Sequence, residues 1–180
     1  MPRLSSNGYV RARRLHCTAL PRHPIHAFTW AAARIARPNA ITLFIHLLNI
    51  YLVEDSPVIR ENLIATLEEL VPVRIVGAAE DEATAVRWLA DPSHPVDLVI
   101  VDIFLQGGSG LGVLRAAQGL PQRYRLVVLS NYATPDMRRK CLALGADRVF
   151  DKSNEIDALI EYCGRMAAGD LPESSPVALA

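Results

Sequence analysis

Cysteine is scarce in this sequence. The chain of 180 residues has three, Cys17, Cys141 and Cys163, and they form neither a CxxC pair nor a spacing with histidine that is typical of zinc ligands. A disulfide framework and a zinc site are therefore not predicted, and a reducing cytoplasm is the compartment that fits best.

Long hydrophobic runs are also missing. The longest one, ITLFIHLLNIYLV at 41–53, has 13 residues and contains a histidine, whereas a helix that crosses a bilayer needs about 20 apolar residues. No apolar stretch followed by a small-residue cleavage site occurs near the start, so a secretory signal is not predicted either. The sequence indicates a protein without a membrane span.

Acidic residues are absent from positions 1–53, which contain seven arginines and four of the five histidines. The rest of the chain has 12 basic and 19 acidic residues, so the net charge of zero hides a basic leader and an acidic body. This asymmetry predicts a boundary near residue 49. A nucleic-acid-binding arm and a transit-like peptide are alternatives for the leader, but we expect a solvated, disordered arm.

The composition, 51% hydrophobic and 21% charged, is ordinary for a globular protein with one core domain. We expect a basic, disordered N-terminal extension at 1–48, the folded domain at 49–168 and a short C-terminal tail at 169–180. The tail, GDLPESSPVALA, is too short and too rich in proline and serine for an output domain. We therefore expect no attached DNA-binding domain.

A strand followed by a helix recurs along residues 49–168. The run Asn49–Val53 is apolar without alternation, which is typical of a strand buried on both faces in a parallel sheet. Ser56 suits a helix N-cap and Pro57 the first helical position. The other predicted strands are 73–78, 96–101, 126–129 and 148–150. The predicted helices are the one from Pro57, with Ile59, Leu63, Leu67 and Leu70 at helical spacing, then 82–90 capped by Asp81, 110–118, 135–144 capped by Thr134, and 155–168 capped by Ser153 or Asn154.

Five strand–helix pairs predict an α/β fold with a doubly wound parallel sheet. In such sheets ligands bind at the carboxyl ends of the strands, near the point where the strand order reverses. The pair Glu80–Asp81 follows the second strand, and we interpret it as a helix cap on the flank. The candidates at the other strand ends are Glu54 and Asp55 after the first, Asp102 after the third, Ser130 after the fourth and Lys152 after the fifth.

Three carboxylates brought together repel one another unless a cation is present. A hard divalent ion with oxygen ligands, Mg²⁺ by size and availability, relieves that repulsion, and Lys152 supplies a compact second positive charge. Two cationic groups beside Asp102 indicate an anionic substrate, most plausibly a phosphoryl group. Asp102 would then be the nucleophile and form an acyl phosphate.

These residues resemble those of the response-regulator receiver domain of two-component signalling. The matching motifs are the acidic pair in LVEDS, the phosphoacceptor in VIVDIF, the hydroxyl in VVLSN and the lysine in VFDKS. The resemblance spans 49–168 and implies a (βα)5 flavodoxin-like fold. It also implies a phosphoacceptor regulator in the cytoplasm, whose only chemistry is its own phosphorylation and dephosphorylation, rather than an enzyme.

The resemblance implies a role for each acidic residue. Asp102 accepts a phosphoryl group from a phosphohistidine on a sensor histidine kinase or a histidine phosphotransfer protein. Asp55, Asp102 and the backbone carbonyl of Phe104 hold Mg²⁺, and Glu54 acts mostly through water. For the other two positions, Lys152 pairs with Asp102 and then with a phosphoryl oxygen, and Ser130 donates a hydrogen bond to the phosphoryl group.

The sequence departs from the family pattern around the switch. Val149 stands where a tyrosine or phenylalanine is common, and alternation along the strand points Phe150 to the opposite face. Tyr132 in the preceding loop can take part instead. Asn131 replaces a small residue after the hydroxyl and predicts an altered lifetime of the phosphorylated state. Gln106 replaces a common proline and predicts a more flexible QGGSG loop.

The expected output is docking of an unidentified protein partner, through the face of the fourth helix, fifth strand and fifth helix, or transfer of the phosphoryl group along a relay. Two other functions stay open as alternatives. One is a nucleic-acid-binding regulator that acts through the basic extension. The other is a phosphatase of the haloacid-dehalogenase type, which needs a second aspartate where Phe104 stands. In receiver domains the first strand begins close to the N-terminus, so Leu48 lies where an initiating methionine would be expected, and 1–47 is interpreted as an extension or a misread start.

Overall fold

The computed structural model describes residues 46–120 and 124–170. Most of the predicted N-terminal extension, residues 1–45, lies outside the described residues, and so does the predicted tail from 171 to 180. None of the helices in the described ranges has the length and the apolar character needed to span a membrane.

Five parallel strands alternate with five helices, which confirms the predicted fold class. The strands are β1 (Leu48–Val53), β2 (Val73–Ala79), β3 (Leu98–Val101), β4 (Arg125–Ser130) and β5 (Arg148–Asp151). The helices are α1 (Pro57–Leu70), α2 (Glu82–Leu89), α3 (Gly110–Ala117), α4 (Pro135–Ala143) and α5 (Ile156–Ala167). Apart from shifts of one or two residues at the ends, these are the elements that the sequence predicts.

The strand order is β2-β1-β3-β4-β5, so the order reverses between β1 and β3. Val53 lies beside Val101, and Val101 lies beside Val128, which brings the carboxyl ends of β1 and β3 level at one edge of the sheet. This reversal point is where ligands bind in doubly wound sheets. The topology therefore places the residues that follow β1 and β3 next to each other.

Helices cover both faces of the sheet. Tyr51, Val53, Val99 and Val101 point into the cluster on which α2, α3 and α4 pack, and the alternate residues of β1 and β3 point into the cluster covered by α1 and α5. Both faces of these central strands are thus buried. This explains why β1 and β3 are apolar without alternation.

The predicted caps at three helices are confirmed. The side chains of Ser56, Asp81 and Thr134 each accept a hydrogen bond from a backbone N–H in the first turn of α1, α2 and α4 respectively. In α1, however, Ile59 and Leu70 are exposed. The buried residues of α1 are therefore Leu63 and Leu67, in the middle of the helix, and the partly buried Ile64 packs beside them.

The predicted cap of α5 is wrong. The N-cap residue is Glu155, and its side chain makes no capping hydrogen bond among the residues that the structure describes. The backbone N–H groups of Ser153 and Asn154 both bond to Asp151, at its side chain and its carbonyl. These two residues therefore form a turn before the helix, and α5 begins later than the sequence predicts.

Gly77 lies in close contact with an aromatic stack. A register shift in β2 places Gly77 beside Tyr51, and the Tyr51 ring stacks on Trp88 with ring centroids 3.8 Å apart and planes 10° apart. A Cβ atom at Gly77 would lie 3.0 Å from Tyr51 Cε2 and 3.2 Å from Trp88 Nε1. The glycine thus permits the close approach of the backbone to the stack.

We expect Gly77→Ala to lower the free energy of unfolding by about 1–3 kcal/mol, because the added methyl group overpacks the Tyr51–Trp88 stack. Urea unfolding at constant m-value measures this change. The matched control is Gly119→Ala, because a Cβ atom at this position would lie 3.5 Å from its nearest neighbour. We expect this substitution to change the free energy of unfolding by about 0.5 kcal/mol or less. Equal effects of the two substitutions would contradict the packing argument.

Candidate functional site

Three carboxylates lie together at the sheet edge beside the strand reversal. The backbone N–H of Glu54 donates to the carbonyl of Ala79 at 3.0 Å, and the N–H of Asp102 donates to the carbonyl of Val53 at 2.9 Å. Strand pairing thus continues past the strand ends and fixes where these side chains start. One carboxylate oxygen from each of Glu54, Asp55 and Asp102 lies within 4.8 Å of the others.

Lys152 reaches into this cluster from the segment after β5. Its Nζ atom lies 2.6 Å from Asp102 Oδ2 and 2.5 Å from Glu54 Oε2. The three side chains are at most 10% exposed, so their charges are weakly screened by water. Because one ammonium faces three carboxylates, the cluster keeps an excess of negative charge that a cation would neutralise.

Ser130 is the last residue of β4 and is fully buried. Its Oγ atom has no hydrogen-bond partner among the described residues. Leaving a buried hydroxyl unpaired costs free energy, so buried hydroxyls are normally bonded. The Ser130 hydroxyl is therefore free to bond a group that enters this edge of the sheet.

The backbone at Ser130 also joins the lysine segment to β4. Its carbonyl accepts a hydrogen bond of 3.2 Å from the N–H of Lys152. The sequence places Asp102, Ser130 and Lys152 after three different strands, and the structure puts all three at one edge. Direct hydrogen bonds connect Lys152 both to Asp102 and to Ser130, so the three residues form one site.

The loop after β3 lies against the cluster. The N–H of Phe104 donates to Asp102 Oδ1 at 3.4 Å, and the Phe104 side chain is exposed and meets the edge of Tyr132, with ring centroids 5.8 Å apart. Tyr132 belongs to the loop after β4. The two aromatic rings therefore bring the loops after β3 and β4 into contact.

The glycine-rich part of this loop is tied to α2. The Gly107 carbonyl accepts a hydrogen bond of 2.8 Å from the N–H of Glu82, and the Ser109 N–H donates to Glu82 Oε2, also at 2.8 Å. The sequence predicts greater flexibility here, because Gln106 stands where proline is common. In the structure, Glu82 supplies attachments for the loop that the sequence analysis does not include.

The residues predicted to modulate the site are divided between the core and the surface. Val149 is buried in the cluster on the α4 face, and Phe150 is buried on the opposite face, as the strand alternation predicts. Asn131 is exposed, with its Oδ1 atom 3.5 Å from Ser153 Oγ. Tyr132 is also exposed, so an aromatic group lies beside the site although position 149 has none.

Sequence reasoning misses the arginine that braces the acidic pair. Arg60 Nη1 donates to the carbonyl of Glu54 at 2.9 Å, and its Nη2 pairs with Glu80 Oε1 at 2.9 Å. Both acceptors follow strand ends, so Arg60 connects the segments after β1 and β2. A basic residue in the first turn of the helix after an acidic pair is the signal that could have indicated this role.

We expect Lys152→Met to lower the free energy of unfolding by about 3–5 kcal/mol in the absence of divalent ions, because it leaves two buried carboxylates without their partner. Chemical denaturation at neutral pH measures the loss. Lys140→Met, at an exposed position of α4, is the matched control and is expected to have an effect of about 0.5 kcal/mol or less. A loss at Lys152 no larger than at Lys140 would refute the pairing argument.

Comparison with known proteins gives one consistent result for the fold. The isolated receiver domain of RcsB from Salmonella enterica serovar Typhimurium, solved with the phosphomimetic BeF3⁻, has a TM-score of 0.62 and 19% identity and covers 73% of this chain and 95% of that one. The response regulator domain of Thermotoga maritima CheB has a TM-score of 0.60 and 20% identity and covers 71% of this chain and all of that one. Both share the receiver fold.

A curated relative, the Fimbriae Z protein of Salmonella typhimurium, is 24% identical over 121 residues, which are 67% of this chain and 57% of the relative. The chain spans about half the length of the curated relatives that it matches. The family model of the response regulator receiver domain matches residues 50–163, and this match includes every candidate site residue. The chain belongs to the response regulator receiver domain family of two-component signalling.

Proposed function

We propose that this receiver domain is a phosphoacceptor that takes a phosphoryl group onto Asp102 from a phosphohistidine. The donor is a sensor histidine kinase or a histidine phosphotransfer protein. The observation that carries the proposal is the meeting of three groups at one edge: the Asp102 carboxylate, the Lys152 ammonium bonded to it, and the Ser130 hydroxyl, which has no partner in the described part of the chain. A nucleophile, a cation and a hydrogen-bond donor are what phosphoryl transfer to a carboxylate requires.

In the proposed step, an Asp102 oxygen attacks phosphorus, an O–P bond forms and the P–N bond to the histidine breaks. The electron pair of that bond leaves with the imidazole nitrogen. Lys152 then turns from the carboxylate to a phosphoryl oxygen, and the Ser130 hydroxyl donates a hydrogen bond to another. Both contacts stabilise negative charge on the transferred group in a site with little water.

The donor set fits Mg²⁺. Glu54, Asp55 and Asp102 offer carboxylate oxygens, which this ion prefers, and the cluster has more negative charge than Lys152 can balance. Asp55, Asp102 and the carbonyl of Phe104 would hold the ion. When bound, Mg²⁺ neutralises charge on the phosphoryl oxygens. Glu54 already accepts a hydrogen bond from Lys152. We therefore assign Glu54 two roles: it holds the lysine in place, and it contacts the ion through water.

The surroundings of the site support approach by a protein donor. A groove beside Lys152 runs between α1 and the start of α5, and four apolar and four polar side chains line it. The lining residues are Ile59, Asn62, Leu63, Thr66, Leu129, Asn131, Lys152 and Ile156. Asn131 at this groove would contact both the phosphoryl group and water, so we assign it and Tyr132 to tuning the lifetime of the acyl phosphate.

The proposed output is docking of a protein partner on the face formed by α4, β5 and α5, or onward transfer of the phosphoryl group in a relay. The loop after β4 connects the proposed phosphoryl site at Ser130 directly to α4. A change at Ser130 is thus transmitted to this face by the shortest path along the chain.

We expect the full chain to take up a phosphoryl group from acetyl phosphate and Mg²⁺ as an acid-stable, base-labile product. Asp102→Asn is expected to abolish the labelling, because an amide cannot form the acyl phosphate. Asp157→Asn, at an exposed position of α5, is the matched control and should label like the wild type. The mass of the intact protein shows whether it is phosphorylated. Labelling that persists in Asp102→Asn would contradict the assignment of Asp102 as the phosphoacceptor.

We also expect Mg²⁺ to stabilise the wild type by about 1.4 kcal/mol when the free ion is about tenfold above its Kd. Asp55→Asn should remove this response and raise the stability of the metal-free protein, because it removes one of the repelling carboxylates. Thermal unfolding with and without Mg²⁺ measures both changes. A response that is the same in Asp55→Asn, Asp157→Asn and the wild type would show that the ion acts elsewhere.

A further inference from the structure

Arg138 on α4 bonds to three separate parts of the chain. Its Nε atom donates to the carbonyl of Ala133 at 3.0 Å, and its Nη1 atom donates to the carbonyl of Val149 at 2.5 Å. Its Nη2 atom pairs with Glu155 Oε2 at 2.7 Å. One planar guanidinium therefore connects the loop after β4, strand β5 and the residue before α5, a geometry that the fork of arginine donors permits and a lysine cannot reproduce.

The first contact places Arg138 on the loop that starts at Ser130. Ala133 lies three residues after Ser130 and one residue before Thr134, the N-cap of α4. The hydrogen bond to its carbonyl thus holds the end of this loop against the helix. If the loop at Ser130 is displaced, either this hydrogen bond breaks or Arg138 moves with the loop.

The other contacts place Arg138 on the segment that carries Lys152. Glu155 Oε2 accepts from Arg138 and also from the backbone N–H of Asp151 at 2.6 Å. The hydrogen bond from Arg138, and to a smaller extent the one from Asp151, lowers the pKa of Glu155. The carboxylate is therefore ionised at neutral pH. Because Asp151 precedes Lys152 directly, the chain of contacts from Arg138 through Glu155 fixes the backbone from which Lys152 reaches Asp102.

Few side chains of helix α4 pack on the core, and Met137 does so while only partly buried. Cys141 is its one fully buried residue, whereas α5 buries Leu159, Tyr162, Cys163 and Ala167. A helix that buries little apolar area is displaced at a small cost in free energy. The hydrogen bonds of Arg138 therefore act together with the packing of Cys141 and Met137 in setting the position of α4 on the sheet.

We propose that Arg138 is a positioning residue that links the phosphoryl site to α4 by joining the Ser130 loop to the Lys152 segment. This inference rests on the proposed function. When Ser130 and Lys152 both turn to a phosphoryl group, their backbones move together, and the guanidinium bonded to both segments carries that movement to α4. Arg139, the next residue, pairs with Asp136 within α4 and is exposed, so it is the natural control.

The test uses the full chain and amide hydrogen exchange in the peptides that cover 131–143 and 151–156. The probe is beryllium fluoride with Mg²⁺. In the wild type the probe is expected to slow exchange in both peptides. Arg138→Gln should exchange about tenfold faster without the probe, because three charge-assisted hydrogen bonds are lost, and should no longer show a probe-dependent change in α4.

Two milder variants separate positioning from loss of structure. Arg138→Lys keeps the charge without the fork and should restore only part of the α4 response. Glu155→Gln removes the charge but keeps an acceptor for Asp151, and should reduce that response while the protein stays folded. Arg139→Gln should respond like the wild type. A residue with a purely structural role would speed exchange in every state but leave the probe-dependent difference in place.

Labelling by acetyl phosphate in the same samples distinguishes the two hypotheses. If the wild type is labelled and Arg138→Gln and Glu155→Gln keep an α4 response of wild-type size, the role of Arg138 is refuted and the proposed function stands. If the wild type takes no label and its exchange does not respond to the probe, the proposed function fails and this inference fails with it.

Discussion

The site depends on the contact of one buried lysine with two buried carboxylates. Lys152 lies within 2.6 Å of both Asp102 and Glu54, and all three side chains are almost fully enclosed. Burying charges costs several kcal/mol for each ion, and a mutual attraction offsets this cost only when the geometry is good. The rest of the sheet therefore has to hold three separate chain segments at fixed distances, which the flanking strands do.

The apolar core supplies this rigidity. Strands β1 and β3 are buried on both faces between the two layers of helices, and the residues at their ends begin from backbone that is still paired. The polar cluster can make an unfavourable contribution to the free energy of folding, because the burial of apolar surface in β1 and β3 stabilises the domain independently. An excess of negative charge is thus maintained at the place where a cation and a phosphoryl group would bind.

The sequence predicts the residues of this site well because the fold alone determines where they meet. The ends of parallel strands converge, so Glu54, Asp55, Asp102, Ser130 and Lys152 are found by locating the strands. The contacts of Arg138 and Glu155 are not found in this way, because they depend on the distance between α4 and the start of α5, which the periodicity of the two helices does not give. The wrong cap of α5 has the same origin, since the Glu155 carboxylate bonds to Asp151 and Arg138 instead of to its own helix.

The link through Arg138 differs in kind from one made by a buried aromatic side chain. Two of its acceptors are backbone carbonyls, which every residue offers, so the link depends on the side chains of Arg138 and Glu155 and not on the identity of Ala133 or Val149. The Val149 side chain lies in the same core cluster as Cys141, and only the backbone of this residue takes part in the link. A receiver domain can therefore keep its core and its phosphoryl site while the connection to α4 is set by two partly exposed residues, Arg138 and Glu155.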